Sequence, residues 1–195
     1  MIKIGSIIFW RKQHVCPRWL CFTFDNWIRR RIQNPDRIIK NYIRTGDTVV
    51  DIGPGIGFFT IPIARRVGTN GQVIAVDIQK EMLTAISKRA DRAGVAQRIT
   101  LQPASTTSLN IAGIRADFIL AFWMIHEVTD QEKFFTQLFA ATKDDGKFLL
   151  AEPKLHVSQQ QFQNEVLTAK NAGFREAERP AISLSHSILF VKGRP

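Results

Sequence analysis

From Thr45 onward the chain alternates between short apolar runs and amphipathic helical patterns, and this alternation limits the possible folds more than any other feature. The first run, Asp47 to Ile52 (DTVVDI), leads into a glycine cluster and a helical pattern from Phe59 to Val67, closed by the turn signal Gly68-Thr-Asn-Gly71. A second run, Gln72 to Asp77 (QVIAVD), precedes a helix from Gln79 to Ala93. That helix has Met82, Leu83, Ile86 and Ala90 on one face and Gly94 at its end. Arg98 to Gln102 and Asp117 to Phe122 (DFILAF) are the third and fourth runs. Thr129-Asp130 starts a helix with Phe134, Phe135, Leu138 and Phe139 facing inward, and Asp145-Gly146 is expected to turn the chain. Lys147 to Glu152 (KFLLAE) is the fifth run, followed by a helix from Ser158 to Ala172 that Gly173 closes. Strands that are apolar at successive positions are buried on both faces, which calls for a parallel sheet covered by helices on each side. The last two runs, Phe174 to Arg179 and His186 to Lys192, leave no room for a helix between them and should pair antiparallel at one edge. The pattern predicts a doubly wound α/β fold with a mostly parallel, seven-stranded sheet and a C-terminal antiparallel β-hairpin.

Composition sets the bounds. With 195 residues, 45% hydrophobic and 23% charged, the chain can bury one real core and is not a disordered, collagen-like or coiled-coil sequence. Cys16 and Cys21 cannot build a disulfide scaffold and match no common zinc spacing. Ile4 to Trp10 is cut short by Arg11 and Lys12 and lacks a small-residue cleavage site, so neither a membrane span nor a signal peptide is expected, and a cytoplasmic setting is. The net charge of +10 is uneven: Met1 to Gly46 carry ten basic and two acidic residues (10 − 2 = +8), the remainder seventeen and fifteen (17 − 15 = +2). The chain therefore divides into a basic, aromatic arm over residues 1–34 and a near-neutral body over 35–195. The arm mixes Phe9, Trp10, Trp19, Phe22, Phe24 and Trp27 with Arg11, Lys12, Arg18 and Arg29-Arg30-Arg31. Three uses stay open for it: a lid over a pocket, attachment to an anionic membrane surface, or contact with RNA.

Gly53-Pro-Gly55-Ile-Gly57 lies between a strand and a helix, where phosphate or nucleotide binding normally occurs. A P-loop would end in Gly-Lys-Ser/Thr, which is absent. A dinucleotide fingerprint would need a small residue where Phe58 stands. The better description is Asp-x-Gly-x-Gly-x-Gly, with the acid at Asp51. A carboxylate there suits a ligand with a positive amino-acid end, and the glycines let backbone approach it closely. Asp77, ending the second strand, supplies a carboxylate for a ribose diol. An ammonium, a nucleoside and a diol together describe S-adenosylmethionine. A bare structural turn with two incidental acids is the plain alternative.

The stretch VVDIGPGIGFFT resembles motif I of the class I S-adenosylmethionine-dependent methyltransferases, and VIAVDIQKEML resembles their second motif. The resemblance runs from about Asp36 to Lys192 and includes the terminal hairpin of that Rossmann-like fold, whose last strand inserts antiparallel into the sheet. It implies that Asp51, Gly53, Gly55 and Gly57, with Phe58, surround the methionine part, that Asp77 takes the ribose, and that Ile78 packs on the adenine. Members of the family often carry an acid after strand three for the adenine amine; Gln102-Pro-Ala-Ser105 has none, so Ser105 or a backbone group is the candidate. Three further phrases, CPRWLCFTFDNWIRR, FWMIHEVTDQEKFF and AEPKLHVS, are similar to a group of small prokaryotic methyltransferases.

Methyl transfer from a sulfonium is an in-line displacement that depends on positioning, and a base is needed only where the acceptor must lose a proton. The acceptor should sit beyond the carboxyl ends of strands one, four and five. Phe122, which ends strand four, is a candidate cofactor contact; His126 and Glu127 just beyond it, with Glu152 at the end of strand five and His156 after it, are the candidate catalytic residues. No metal is expected, since the histidines are widely spread. The Asn/Asp-Pro-Pro-aromatic turn of nucleic-acid base N-methyltransferases is missing, and no cysteine of the body could serve cytosine C5 chemistry. The expected acceptor is a small molecule, with tRNA or rRNA methylation, or cofactor binding without turnover, as the alternatives.

Overall fold

The computed structural model describes residues 31–193. The expected arm over residues 1–34, and with it the lid, RNA and membrane readings, falls almost wholly outside the described residues. After the short helix α1 (Pro35–Ile39), the chain runs β1 (Thr48–Ile52), α2 (Thr60–Val67), β2 (Gln72–Asp77), α3 (Lys80–Ala93), β3 (Ile99–Pro103) and β4 (Ala116–Phe122). It continues with α4 (Gln131–Ala141), β5 (Thr142–Pro153), α5 (Gln159–Asn171), β6 (Phe174–Glu178) and β7 (Ser185–Lys192).

The seven strands form one sheet in the order β3-β2-β1-β4-β5-β7-β6. Pairs among β1 to β5 are parallel, while β7 runs antiparallel to both β5 and β6. The last strand therefore inserts between β5 and β6, and β6 is left at the edge. Successive side chains of a strand point to opposite faces, and both faces here are dry. Val50, Ile52, Ile119, Ala121, Phe148 and Leu150 face α4 and α5, where Phe134, Phe135, Leu138, Phe162 and Val166 meet them. Val49, Phe118, Leu120, Leu149 and Ala151 face the opposite layer, with Ile39, Ile43, Phe59, Ile63 and Val67. This explains why the strands read as continuously apolar. Phe148 is fully buried and touches the rings of Phe135, Phe174 and Phe190, so its truncation to Ala should cost about 3–5 kcal/mol.

One local expectation is corrected. Asp145-Gly146 does not turn the chain between a helix and a new strand. Strand β5 begins at Thr142, which already pairs with Ala116, and a bulge follows before Lys147 resumes pairing at Phe118. A Cβ on Gly146 would lie 2.7 Å from the Ala116 carbonyl oxygen. Glycine there permits the bulge to fold onto its neighbour rather than reversing the chain.

Candidate functional site

Two clusters of polar side chains gather at the carboxyl ends of the parallel strands. The first surrounds the loop between β1 and α2. Gly53 and Gly55 sit at φ 61° and 55°, in the left-handed region. A Cβ on Gly53 would come within 2.9 Å of the Met124 side chain, whereas Gly55 faces open space. The loop is tied to β2 by the Gly53 amide, which donates to the Val76 carbonyl at 2.9 Å.

Asp51 lies beneath this loop, buried, and accepts the Thr60 hydroxyl at 2.7 Å. Burial pushes its carboxyl up to about 7, against the Thr60 bond, and the neighbouring Asp77 charge adds to the rise. Asp77 is also buried; its Oδ1 accepts the Gln79 amide at 2.8 Å. Burial raises it to about 6, opposed by the amides of Gln79, Ile78 and Gly55. Next to it Ile78 is 42% exposed, a large apolar side chain left in solvent at the rim. The Ala104 amide donates to the Asp77 carbonyl at 2.9 Å, which brings Ser105 alongside. The Ser105 hydroxyl is engaged in its own turn, accepting the Ser108 amide at 3.0 Å. Phe58 and Phe122 are placed lower: both are buried and both pack on Phe59, with ring centroids 5.2 and 4.5 Å away. They form the floor beneath the loop.

The second cluster stands where β4 and β5 end. Trp123 turns the chain at φ 63°, a costly conformation for an aromatic residue, held by its amide donating to Ala151 and its indole N–H donating to Ser185 Oγ. The strained turn leads into a single turn of 3₁₀ helix, Ile125–Glu127. Glu152 is completely buried beneath it. Its Oε1 accepts the amides of Met124 at 3.2 Å and Ile125 at 2.7 Å, and its Oε2 makes a very short contact with His126 Nδ1. Burial alone would lower the His126 pKa, but the Glu152 hydrogen bond and charge outweigh it and hold the imidazole above its ordinary value. The His126 side chain is still 27% exposed, so the ring has one end clamped and one end at the surface. His156 is exposed, with its ring 6.4 Å from that of His126. Glu127 is half-buried and adds negative charge near the imidazole.

One member of this cluster escaped the sequence reading. Glu165, on α5, is 3% exposed and its Oε2 has no hydrogen-bond partner among the described residues. Burial, reinforced by the Glu152 charge, pushes its carboxyl up to about 8. An available signal was its place on the apolar stripe of α5 with Phe162, Val166 and Ala169, where an acid is out of pattern. Among the described residues no group of three or more His, Cys, Asp or Glu side chains is arranged to hold a metal ion.

Residues 43–183 match the family model of a methyltransferase domain. The chain belongs to the class I S-adenosylmethionine-dependent methyltransferases. In sequence this methyltransferase is 28% identical over 122 residues to the ubiquinone/menaquinone biosynthesis C-methyltransferase UbiE of Marinomonas sp., a match covering 63% of this chain and 49% of the relative. It thus spans about half the length of that relative. In structure it is similar to a SAM-dependent methyltransferase from Aquifex aeolicus, with TM-score 0.81, 19% identity, and coverage of 90% of this chain and 98% of that one. It is also similar to the [4+2]-cyclase SpnF, with TM-score 0.70, 11% identity, and coverage of 83% and 81%. A cyclase on the same architecture shows why the site, and not the fold, must carry the argument about chemistry.

The methyltransferase has residues that fit its cofactor, S-adenosylmethionine. Two buried carboxylates with raised pKa values carry negative charge only at a cost, and a cationic, hydroxyl-rich ligand relieves that cost. The open face of Gly55 and the exposed Ile78 leave backbone and apolar surface free beside them.

Proposed function

We propose that this methyltransferase methylates a small-molecule acceptor whose accepting atom gives up its proton to His126. The observation that carries this reading is the buried Glu152 clamp, which fixes the turn bearing His126 and fastens Nδ1, leaving Nε2 as the ring nitrogen free for acid–base work. The name of the UbiE relative, a C-methyltransferase of quinone biosynthesis, supports a small acceptor in which a carbon bearing hydrogen is methylated.

Bound S-adenosylmethionine supplies an electrophilic methyl group. On this reading Asp51 holds the ammonium end, and Gly53, Gly55 and Gly57 bring backbone amides close to the methionine part. Asp77 accepts from the ribose hydroxyls, Ile78 lies against the adenine, and Ser105 or its neighbouring backbone faces the adenine edge. Phe58 and Phe122 shape the floor. On the acceptor side, Glu152 orients His126 and stabilises its imidazolium once the proton arrives, a contribution of about 10²- to 10⁴-fold in rate for a well-placed base. Glu127 and His156 flank the same mouth and are positioned to contact the acceptor.

The test is S-adenosylhomocysteine formation by the full chain against two acceptor sets: small phenols and enolisable ketones, and bulk tRNA and rRNA. Turnover with a member of the first set, lost in His126→Asn while S-adenosylmethionine affinity is kept, is the expected result. Turnover confined to RNA would overturn the small-molecule reading, and tight cofactor binding with no turnover on either set would overturn the catalytic one.

A further inference from the structure

A cavity of about 440 Å³ lies beside the His126 cluster, between the β5–α5 connection and the segment that links β6 to β7. Its size is in the range of small-ligand pockets. Lys154, Arg179 and His186 line it, together with the hydroxyl residues Ser183, Ser185 and Ser187, and among the described residues no aspartate or glutamate does. Of the three basic side chains, Arg179 is held by both oxygens of Glu176, at 2.6 and 3.2 Å. Lys154 and His186 make no side-chain hydrogen bond or ion pair with any described residue. Instead His186 stacks on Phe162, ring centroids 5.4 Å apart. A lysine ammonium and an imidazole with no carboxylate opposite them among the described residues favour an anion.

Two connections join this cavity to the proposed base. His186 is the direct cross-strand partner of Glu152, the residue that clamps His126. Ser185 accepts the indole N–H of Trp123, the residue that starts the His126 turn, at 2.9 Å. A molecule anchored in the cavity therefore rests on the same scaffold that positions the imidazole.

We propose that the acceptor is anionic and that this cavity binds its carboxylate or phosphate group, with Lys154 and His186 as the principal donors. The inference rests on the small-molecule reading above and narrows it to acceptors carrying an oxyanion. Lys154 on its flexible stem supplies a mobile charge, while His186, fixed by Phe162, supplies a directed ring N–H. The Ser183 hydroxyl can donate to a remaining oxygen lone pair, whereas those of Ser185 and Ser187 already donate to the Ser183 and Pro180 carbonyls.

The test is a binding titration on the full chain with S-adenosylhomocysteine present, read by calorimetry or ligand-observed NMR. The probes are benzoate, phenyl phosphate, inorganic phosphate and, as the neutral control, benzyl alcohol. At least one of the two aromatic anions should bind ten-fold or more tightly than benzyl alcohol; which one leads separates a carboxylate from a phosphate. Lys154→Gln and His186→Gln should each weaken that anion several-fold, Lys154→Arg should retain it, and Lys88→Gln, on the other face of the sheet, should leave it unchanged. Equal binding of the alcohol and the anions, an effect of Lys88→Gln as large as that of Lys154→Gln, or unaltered affinity in both cavity variants would overturn the proposal. The same samples report cofactor affinity, so a protein that binds S-adenosylhomocysteine and ignores the anions refutes this inference alone. One that binds no S-adenosylhomocysteine refutes the methyl-transfer reading instead.

Discussion

Asp51 and Glu152, buried carboxylates on the two halves of the sheet's carboxyl edge, are treated in opposite ways. On the β1–β2 half, Asp51 has the Thr60 hydroxyl, and burial dominates, lifting its carboxyl to about 7. On the β4–β5 half, Glu152 is at least as buried but is surrounded by two amides and an imidazole. An underpaired acid is poised to receive a cation from outside, whereas a saturated one is poised to hold something of its own in place. The first half is built to bind, and the second to position.

Removing the positioned group should have the largest effect. His126→Asn is expected to lower S-adenosylhomocysteine formation by about 10²- to 10⁴-fold while calorimetry finds cofactor affinity unchanged. An equal loss of cofactor affinity would erase the distinction between the halves. On the binding half, Asp77→Ala should weaken S-adenosylmethionine and S-adenosylhomocysteine alike by about 2–3 kcal/mol, since both carry the ribose hydroxyls that the carboxylate would accept from. Wild-type affinity in that variant, measured by titration calorimetry, would move the ribose elsewhere.

Glu165 sharpens the comparison from a third side, as an acid in the positioning half that nothing saturates. Its pKa of about 8, like those of Asp51 and Asp77 at about 7 and 6, is raised above the unfolded value. Between that unfolded value, about 4, and the folded ones, the native state holds more protons than the unfolded chain, so stability falls as pH rises. The ligand-free protein should therefore melt at a lower temperature at pH 8 than at pH 5.5. Glu165→Gln should flatten that slope and stabilise the protein at pH 8 by about 1–2 kcal/mol, provided the amide is accommodated. Thermal melts across pH that show no change in slope would mean that Glu165 is ionised and paired.

The smallest expected effect concerns Asp51. If it meets the ammonium of the cofactor, binding favours its ionised form. Affinity should then rise several-fold between pH 5.5 and 7.5, with up to about one proton released. Calorimetry in buffers of different ionisation enthalpy measures that proton count directly. Proton uptake would place the cation away from Asp51.

The difference between the halves also explains what could be read in advance. The binding-half residues Asp51, Gly53, Gly55, Gly57, Asp77 and Ile78 all lie on β1, β2 and the turns that follow them, so one short stretch of sequence contains the whole arrangement. The end of β1 was legible there because its β-branched run stops at Gly53. The positioning half is assembled from remote pieces. Glu152 lies 26 residues from the imidazole it holds, and Ser185 lies 62 residues from the Trp123 indole. His126, Glu152 and His156 could be named from the ends of their strands, but no periodicity says that Glu152 is saturated. Glu165 is a helix residue whose partners lie on other elements, and only its misfit on an apolar stripe hinted at it. The depth of Phe58 and Phe122 beneath the loop follows from Phe59, which both rings touch.

By itself the sequence determined the strand–helix alternation, the glycine loop with its two acids, and the antiparallel ending, because each depends on local periodicity, backbone freedom or chain length between elements. Tertiary structure alone decided that Asp145-Gly146 forms a bulge within β5 and that His186 faces Glu152 across the ladder, while the entry of β7 between β5 and β6 was implied only by the family resemblance. Those outcomes depend on which strand edges remain unpaired and which side chains can share a buried space, quantities that exist only once distant segments have met.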